Sequence, residues 1–289
     1  MKKFLALILV IACLLPAAAM AETVVTSFYP IWLFARCLLE HCDGVEVHCL
    51  TEPTTGCLHD YQLSTSDMKS LSAADVFLIN GAGMESFLTM VTEAFPALPV
   101  VDASAGIDLL PDESGETEWN AHVWLDAGNA QIMVSNMAEG LIAALPAYAD
   151  TIAADRDAYL LRLRQLDEEL RASLADLPSK QIVTFHEAFP YFARAYGLEV
   201  VAVVALDPED SLSPRRLAEL VTKVDALGDP PLFTEPQYAS LAAETVSAET
   251  GAPIWQLDPC VTGPEDAPLT YYEDVMRSDR DILVQALSR

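Results

Sequence analysis

Residues 25–36 read VTSFYPIWLFAR and residues 183–194 read VTFHEAFPYFAR. The two segments align without gaps, sharing Val, Thr and a terminal Phe-Ala-Arg. Each begins as a β-rich run and passes into an aromatic, amphipathic segment, the pattern of a strand feeding a helix. Downstream of them, Gly44-Val45-Glu46-Val47 is matched by Gly197-Leu198-Glu199-Val200. The same unit of structure therefore starts twice.

Outward from these anchors, short apolar runs recur at Thr23–Ser27, Val45–Leu50, Val76–Asn80 and Leu98–Asp102. The order returns at Gln181–Phe185, Glu199–Ala205, Pro231–Thr234 and Pro253–Leu257, with helix-forming stretches between. Alternating strands and helices predict parallel sheets. The expected fold is α/β, two lobes, each a four-stranded, mainly parallel sheet with flanking helices. The lobes are placed at 22–128 and 180–289, with connecting helices over 129–179. In that connector Pro146 separates two helices, and Leu160, Leu163, Leu166 and Leu170 form one apolar stripe along the second. A helix from about Ala147 to Ala175 would span ~43 Å, long enough to brace the lobes rigidly.

Composition narrows the function. The 289 residues carry 43 Asp and Glu against 16 Lys and Arg, a net charge of -27, with 52% hydrophobic residues. Such a chain buries a sizeable core, which excludes disorder. Its charge excludes nucleic acid and anionic lipid as natural partners and favours cations.

The N-terminus reads as an export leader. Two lysines precede an apolar run, and Ala19-Met20-Ala21 offers a cleavage site before Glu22, giving a signal peptide over 1–21. Acylation at Cys13 is the alternative, which would make the chain a lipoprotein. Either places the mature protein outside the cytoplasm, in the periplasm or at the cell surface, where disulfides are permitted. Cys37, Cys42, Cys49, Cys57 and Cys260 remain. One disulfide among the first four is expected.

Ligands of open parallel sheets bind beyond the carboxyl ends of the strands. His59 follows the second expected strand, His122 the fourth and His186 the fifth, while Glu235 ends the seventh and Asp258 the eighth. Two facing lobes would gather them into one cleft. Three imidazoles and a carboxylate suit a borderline divalent cation, zinc before manganese, which prefers more oxygen. The histidines and Asp258 are 63, 64 and 72 residues apart, so only the fold can assemble them. Asp60 and Glu187, beside two of these residues, are better placed to support ligands than to be ligands. Phosphate loops, dinucleotide fingerprints and HExxH helices are not found.

Four stretches, SFYPIWLFA (27–35), HDYQLSTSDMKSLSAADVFLINGAGMESFL (59–88), HVWLDAGNA (122–130) and FTEPQYASLAAETVSAETGAPIWQLDP (233–259), resemble the zinc/manganese-type metal-binding solute-binding proteins of bacterial ABC importers. The zinc-uptake members are most similar. The resemblance implies two α/β lobes on a rigid helix, with metal held between them by His59, His122, His186 and Asp258. It places Glu235 close by, as support or substitute ligand. It further implies a monomer that delivers Zn²⁺, or less characteristically Mn²⁺, to a membrane permease with a cytoplasmic ATPase. Two features depart from it. The loop Asp112–Asn120 is short, acidic and without His, where many zinc-uptake relatives carry a long His-rich loop. Cys57 and Cys260 stand two residues from His59 and Asp258, which leaves two readings open, a disulfide beside the site or a thiolate in the metal shell.

Other functions are weaker on these residues. Four protein ligands close a zinc shell that a hydrolase needs open for water, so an enzyme is not expected. An adhesin or extracellular metal buffer would show the same site.

Overall fold

Among the described residues, eight parallel strands form two four-stranded sheets of the same wiring, order β2-β1-β3-β4 and β6-β5-β7-β8. The computed structural model describes residues 21–55, 58, 61–112, 117–204, 214–228, 230–238 and 241–288. The expected leader, except for Ala21, lies outside them. So do His59, Asp60, Cys57 and residues 113–116 of the acidic loop.

The first half runs β1 (Glu22–Thr26), α1 (Tyr29–Leu38), β2 (Val45–Cys49), α2 (Thr65–Ala73), β3 (Val76–Ile79), α3 (Leu88–Ala94) and β4 (Val100–Asp102). Helix α1 begins with Pro30 in its first turn, where a missing amide hydrogen costs nothing. At the start of α2, Ser64 Oγ accepts from the Asp67 amide and the Asp67 carboxylate accepts from the Ser64 amide, a reciprocal cap. The central strand β3 is apolar throughout and buried throughout. The edge strand β2 is half-exposed along alternate residues.

Two helices connect the halves. Helix α4 (Ala127–Ala144) is capped by Asp126, whose carboxylate accepts from the Gly128 amide at 2.7 Å. It lies against β4 so closely that a Cβ on Gly140 would sit 2.3 Å from a Val101 methyl. A one-turn 3₁₀ segment, Pro146–Tyr148, leads into α5 (Ala149–Leu174), slightly shorter than the sequence suggests because Pro146 holds the tighter turn. At 26 residues α5 is about 39 Å long. It buries Ile152, Tyr159, Leu163, Leu166, Leu170 and Leu174; Leu160, the first residue of the stripe read from the sequence, is only partly buried, Tyr159 taking the inward place. No single helix among the described residues is long and apolar enough to cross a membrane.

The second half runs β5 (Gln181–Thr184), α6 (Pro190–Tyr196), β6 (Glu199–Val203), α7 (Pro214–Ala226), β7 (Leu232–Thr234), α8 (Leu241–Thr250), β8 (Ile254–Gln256) and α9 (Tyr271–Leu287). Both anchors of the pseudo-repeat lie on equivalent elements, β1–α1 and β5–α6.

Between β8 and α9 the chain crosses back over the first half as a strap. Its carbonyls are held from below: Trp124 Nε1 donates to Pro259 at 2.8 Å and Tyr29 Oη to Pro264 at 2.9 Å. Arg36 donates to Ala267 at 2.6 Å and Arg162 of α5 to Leu269 at 2.7 Å. The Gly263 amide donates to the Pro53 carbonyl at 3.1 Å. A side chain at 263 would collide with the Tyr29 ring, so glycine is required there. Where the strap joins α9, Arg162 also pairs at 2.8 Å with Glu273, whose side chain is 2% exposed.

Among the described residues the expected disulfide is not formed. Cys37, Cys42, Cys49 and Cys260 are free thiols. Cys37 instead donates to the Leu269 carbonyl and accepts from Arg162, which ties it into the same junction. Burial raises its thiol to about 11, keeping it protonated and unreactive.

Candidate metal centre

His122 and His186, one from each half, meet edge to face with ring centroids 4.8 Å apart. Both are buried, at 3% and 4% exposed. His122 precedes a 3₁₀ turn, Val123–Leu125, that seats Trp124 wholly in the core, and its ring rests against that indole at 5.3 Å. His186 stands two residues past β5, where the strand's last hydrogen bond, Phe185 amide to Phe233 carbonyl, has just been made.

Each imidazole is held by its Nδ1. On His186 that atom is 2.9 Å from Oε1 of buried Glu235, whose other oxygen accepts from Gln237 at 2.7 Å. On His122 it is 3.2 Å from Asn120 Oδ1. A carboxylate or amide oxygen only accepts, so in the neutral rings the proton sits on Nδ1 and the lone pair on Nε2. Backing of this kind fixes the tautomer of metal-binding histidines. The Tyr238 ring meets His186 in an edge-type contact at 5.9 Å.

Asp258 is placed by its main chain. Its amide donates at 3.0 Å to Asp279 Oδ1 on α9, and its Oδ1 accepts at 2.8 Å from the amide of Cys260, a residue at φ +60°. Burial raises the Asp258 carboxyl above the usual range; the charge of nearby Glu235 adds to this and the Cys260 amide opposes it. Asp279 is raised further, again by burial first. A divalent cation would reverse that penalty for the carboxylate it binds.

Of the five residues read from the sequence, the structure thus joins His122, His186 and Glu235 directly and sets Asp258 within the electrostatic reach of Glu235. His59 lies outside the described residues. Among those described, no three His, Cys, Asp or Glu side chains form a coordination cluster. Asn120 and Asp279 were not singled out from sequence, and only a neutral-polar residue two positions before a histidine hinted at the first. Glu187 is buried beside His186, and its carbonyl accepts from Asn120 Nδ2 at 2.8 Å.

Residues 24–286 match the family described as ZnuA, zinc-uptake complex component A, periplasmic. The chain belongs to this family. It is a metal-binding solute-binding protein, and members of the ZnuA family are transport components, not enzymes. The manganese-binding lipoprotein MntA of Halalkalibacterium halodurans is 31% identical over 234 residues, 80% of this chain and 78% of that one. The iron-binding protein YfeA of Yersinia pestis is 30% identical over 259 residues, 85% and 82% of the two chains. Among solved structures, the solute-binding protein FpvC of Pseudomonas aeruginosa in complex with Mn²⁺ superposes with a TM-score of 0.82 at 27% identity, covering 92% of this chain and 98% of that one. The ZnuA fold is therefore shared by proteins named for different metals.

Proposed function

We propose that this chain captures Zn²⁺ outside the cytoplasmic membrane and hands it to an ABC permease driven by a cytoplasmic ATPase. The lobes of this reading are 22–128 and 180–289, joined through 129–179, with residues 1–21 as the export leader. The ligands are His59, His122, His186 and Asp258, and Glu235 orients His186. The observation that carries the reading is the meeting of His122 and His186 across the two halves, each with Nδ1 tied back and Nε2 bearing the lone pair. Neutral nitrogen donors favour zinc over manganese. Because the imidazoles must be neutral to bind, metal uptake releases protons at acidic pH.

One observation favours a second cargo. Glu235 is near enough to Asp258 to raise its carboxyl. If Glu235 left His186 and turned to the metal, two carboxylates would serve Mn²⁺.

Competitive titration of the metal-stripped mature protein with Zn²⁺ and Mn²⁺ tests both. One tight Zn²⁺ equivalent, poorly displaced by Mn²⁺ and lost in a His122→Ala/His186→Ala double variant, is the expected result. Preference for Mn²⁺, with binding lost in Glu235→Gln, would change the cargo. Binding untouched by the double variant would overturn the site.

A further inference from the structure

Asn120 is 4% exposed, and two groups that meet its side chain have a fixed polarity. The His122 amide can only donate, and it points at Oδ1 from 3.0 Å. The Glu187 carbonyl can only accept, and it lies 2.8 Å from Nδ2. The amide therefore has one orientation. Its main chain is equally fixed: the Asn120 amide donates to Leu110, and its carbonyl accepts at 2.9 Å from Tyr191 Oη, which itself accepts from the Leu110 amide.

The two ends of this one side chain reach opposite halves of the molecule. Oδ1 holds His122 by its amide and by Nδ1, which puts the lone pair on Nε2. Nδ2 holds the main chain of Glu187, the residue after His186. We propose that Asn120 is a positioning residue that latches the two halves at the metal and slows metal release. This rests on the reading that His122 and His186 bind the metal. Separating the halves enough to expose both histidines requires breaking the Nδ2–Glu187 bond inside a buried site, where an unsatisfied carbonyl is costly. Aspartate could replace asparagine in the first task and not in the second, since it would set a carboxylate oxygen against the Glu187 carbonyl.

The two tasks can be separated by substitution. Asn120→Asp keeps the acceptor for His122 and removes the donor to Glu187. Asn120→Ser keeps an acceptor for the His122 amide, a turn that Ser shares with Asn, while its hydroxyl is one bond too short to reach the Glu187 carbonyl, so one variant serves if the other fails to fold. Asn120→Ala removes both. In the mature protein loaded with Zn²⁺ and mixed with excess chelator, all three should release metal about 10–100-fold faster than wild type. Loaded with Co²⁺, Asn120→Asp and Asn120→Ser should keep the wild-type visible spectrum, while Asn120→Ala should shift it as the His122 ring turns. A merely structural role would lower the unfolding midpoint of the metal-free protein in all three and leave both metal readouts alone, which overturns the proposal. Release at the wild-type rate in Asn120→Asp or Asn120→Ser also overturns it. Failure of the underlying reading looks different: Zn²⁺ would then stay bound in the His122→Ala/His186→Ala variant run alongside.

Discussion

The two sheets are wired alike and buried differently. The first is enclosed in one core that continues through α1, α4, α5 and α9, with Val24, Phe77, Leu78, Trp124, Leu166 and Met276 all buried in it. The second contributes only its inner face to that core, through Ile182, Phe233 and Leu257. Its outer face closes on a smaller cluster of Val183, Ala202, Val204, Leu220, Val224, Leu232, Val246 and Ala252 beneath α7 and α8. The register of β5 on β6 also shifts between Ile182 and Val183, a break with no counterpart in the first sheet's strand pairings. Equal topology therefore does not give equal rigidity. His122 stands on the firmly enclosed half, and His186 with Glu235 stands on the half whose outer layer has less to hold it.

The largest effect should come where the halves share burial. Arg162→Met leaves the Glu273 carboxyl buried without its cation, and denaturant unfolding should show a loss of about 3–5 kcal/mol. Adding Glu273→Leu should recover most of it. A loss below 1 kcal/mol would mean the junction is not what unites the two regions.

Matched truncations then compare the two cores. Leu166→Ala should cost ~4 kcal/mol and Leu232→Ala ~2 kcal/mol, because the smaller cluster collapses more easily around a cavity. Equal costs in denaturant melts would erase the distinction.

The third test uses pH. Glu85 is buried, accepts from the Asn80 and Gly81 amides, and is raised to about 7 by burial. A carboxyl raised on folding stabilises below its unfolded value near 4.5 and loses that contribution as pH rises towards 7. Metal-free protein should lose about 2 kcal/mol between pH 5 and pH 7 from this group. Glu85→Gln should flatten that slope; an unchanged slope would place the effect elsewhere.

The smallest effect belongs to the surface of α7. Arg215 and Glu219 pair at 2.9 Å with side chains 90% and 62% exposed. Glu219→Gln should move the unfolding midpoint by less than ~0.5 kcal/mol.

Much of this was legible in the sequence. The strand and helix alternation, the restart at 183–194 and the leucine stripe of α5 are periodic signals, and each appears in the fold within a residue or two. The meeting of His122, His186 and Glu235 was legible because the loops beyond strand ends are where such sheets present side chains, although His122 lies well past the end of β4 at Asp102. Asn120 on the Glu187 carbonyl and Asp279 on the Asp258 amide were not, since hydrogen bonds spanning 67 and 21 residues leave no local pattern. The disulfide expectation failed for a related reason. Cysteine count and compartment permit a bond, but Cys37 is already occupied by Arg162 and Leu269, partners that only the tertiary packing brings near.

The strap bears on modularity. Cutting the chain near residue 178 would yield two pieces, each with a whole four-stranded sheet. The second would nonetheless carry the carbonyls of Pro259, Pro264, Ala267 and Leu269 away from Trp124, Tyr29, Arg36 and Arg162. Neither piece is then a finished domain. Co-expressed, the fragments should recombine into one non-covalent complex, the strap serving as the seam along which they recognise each other.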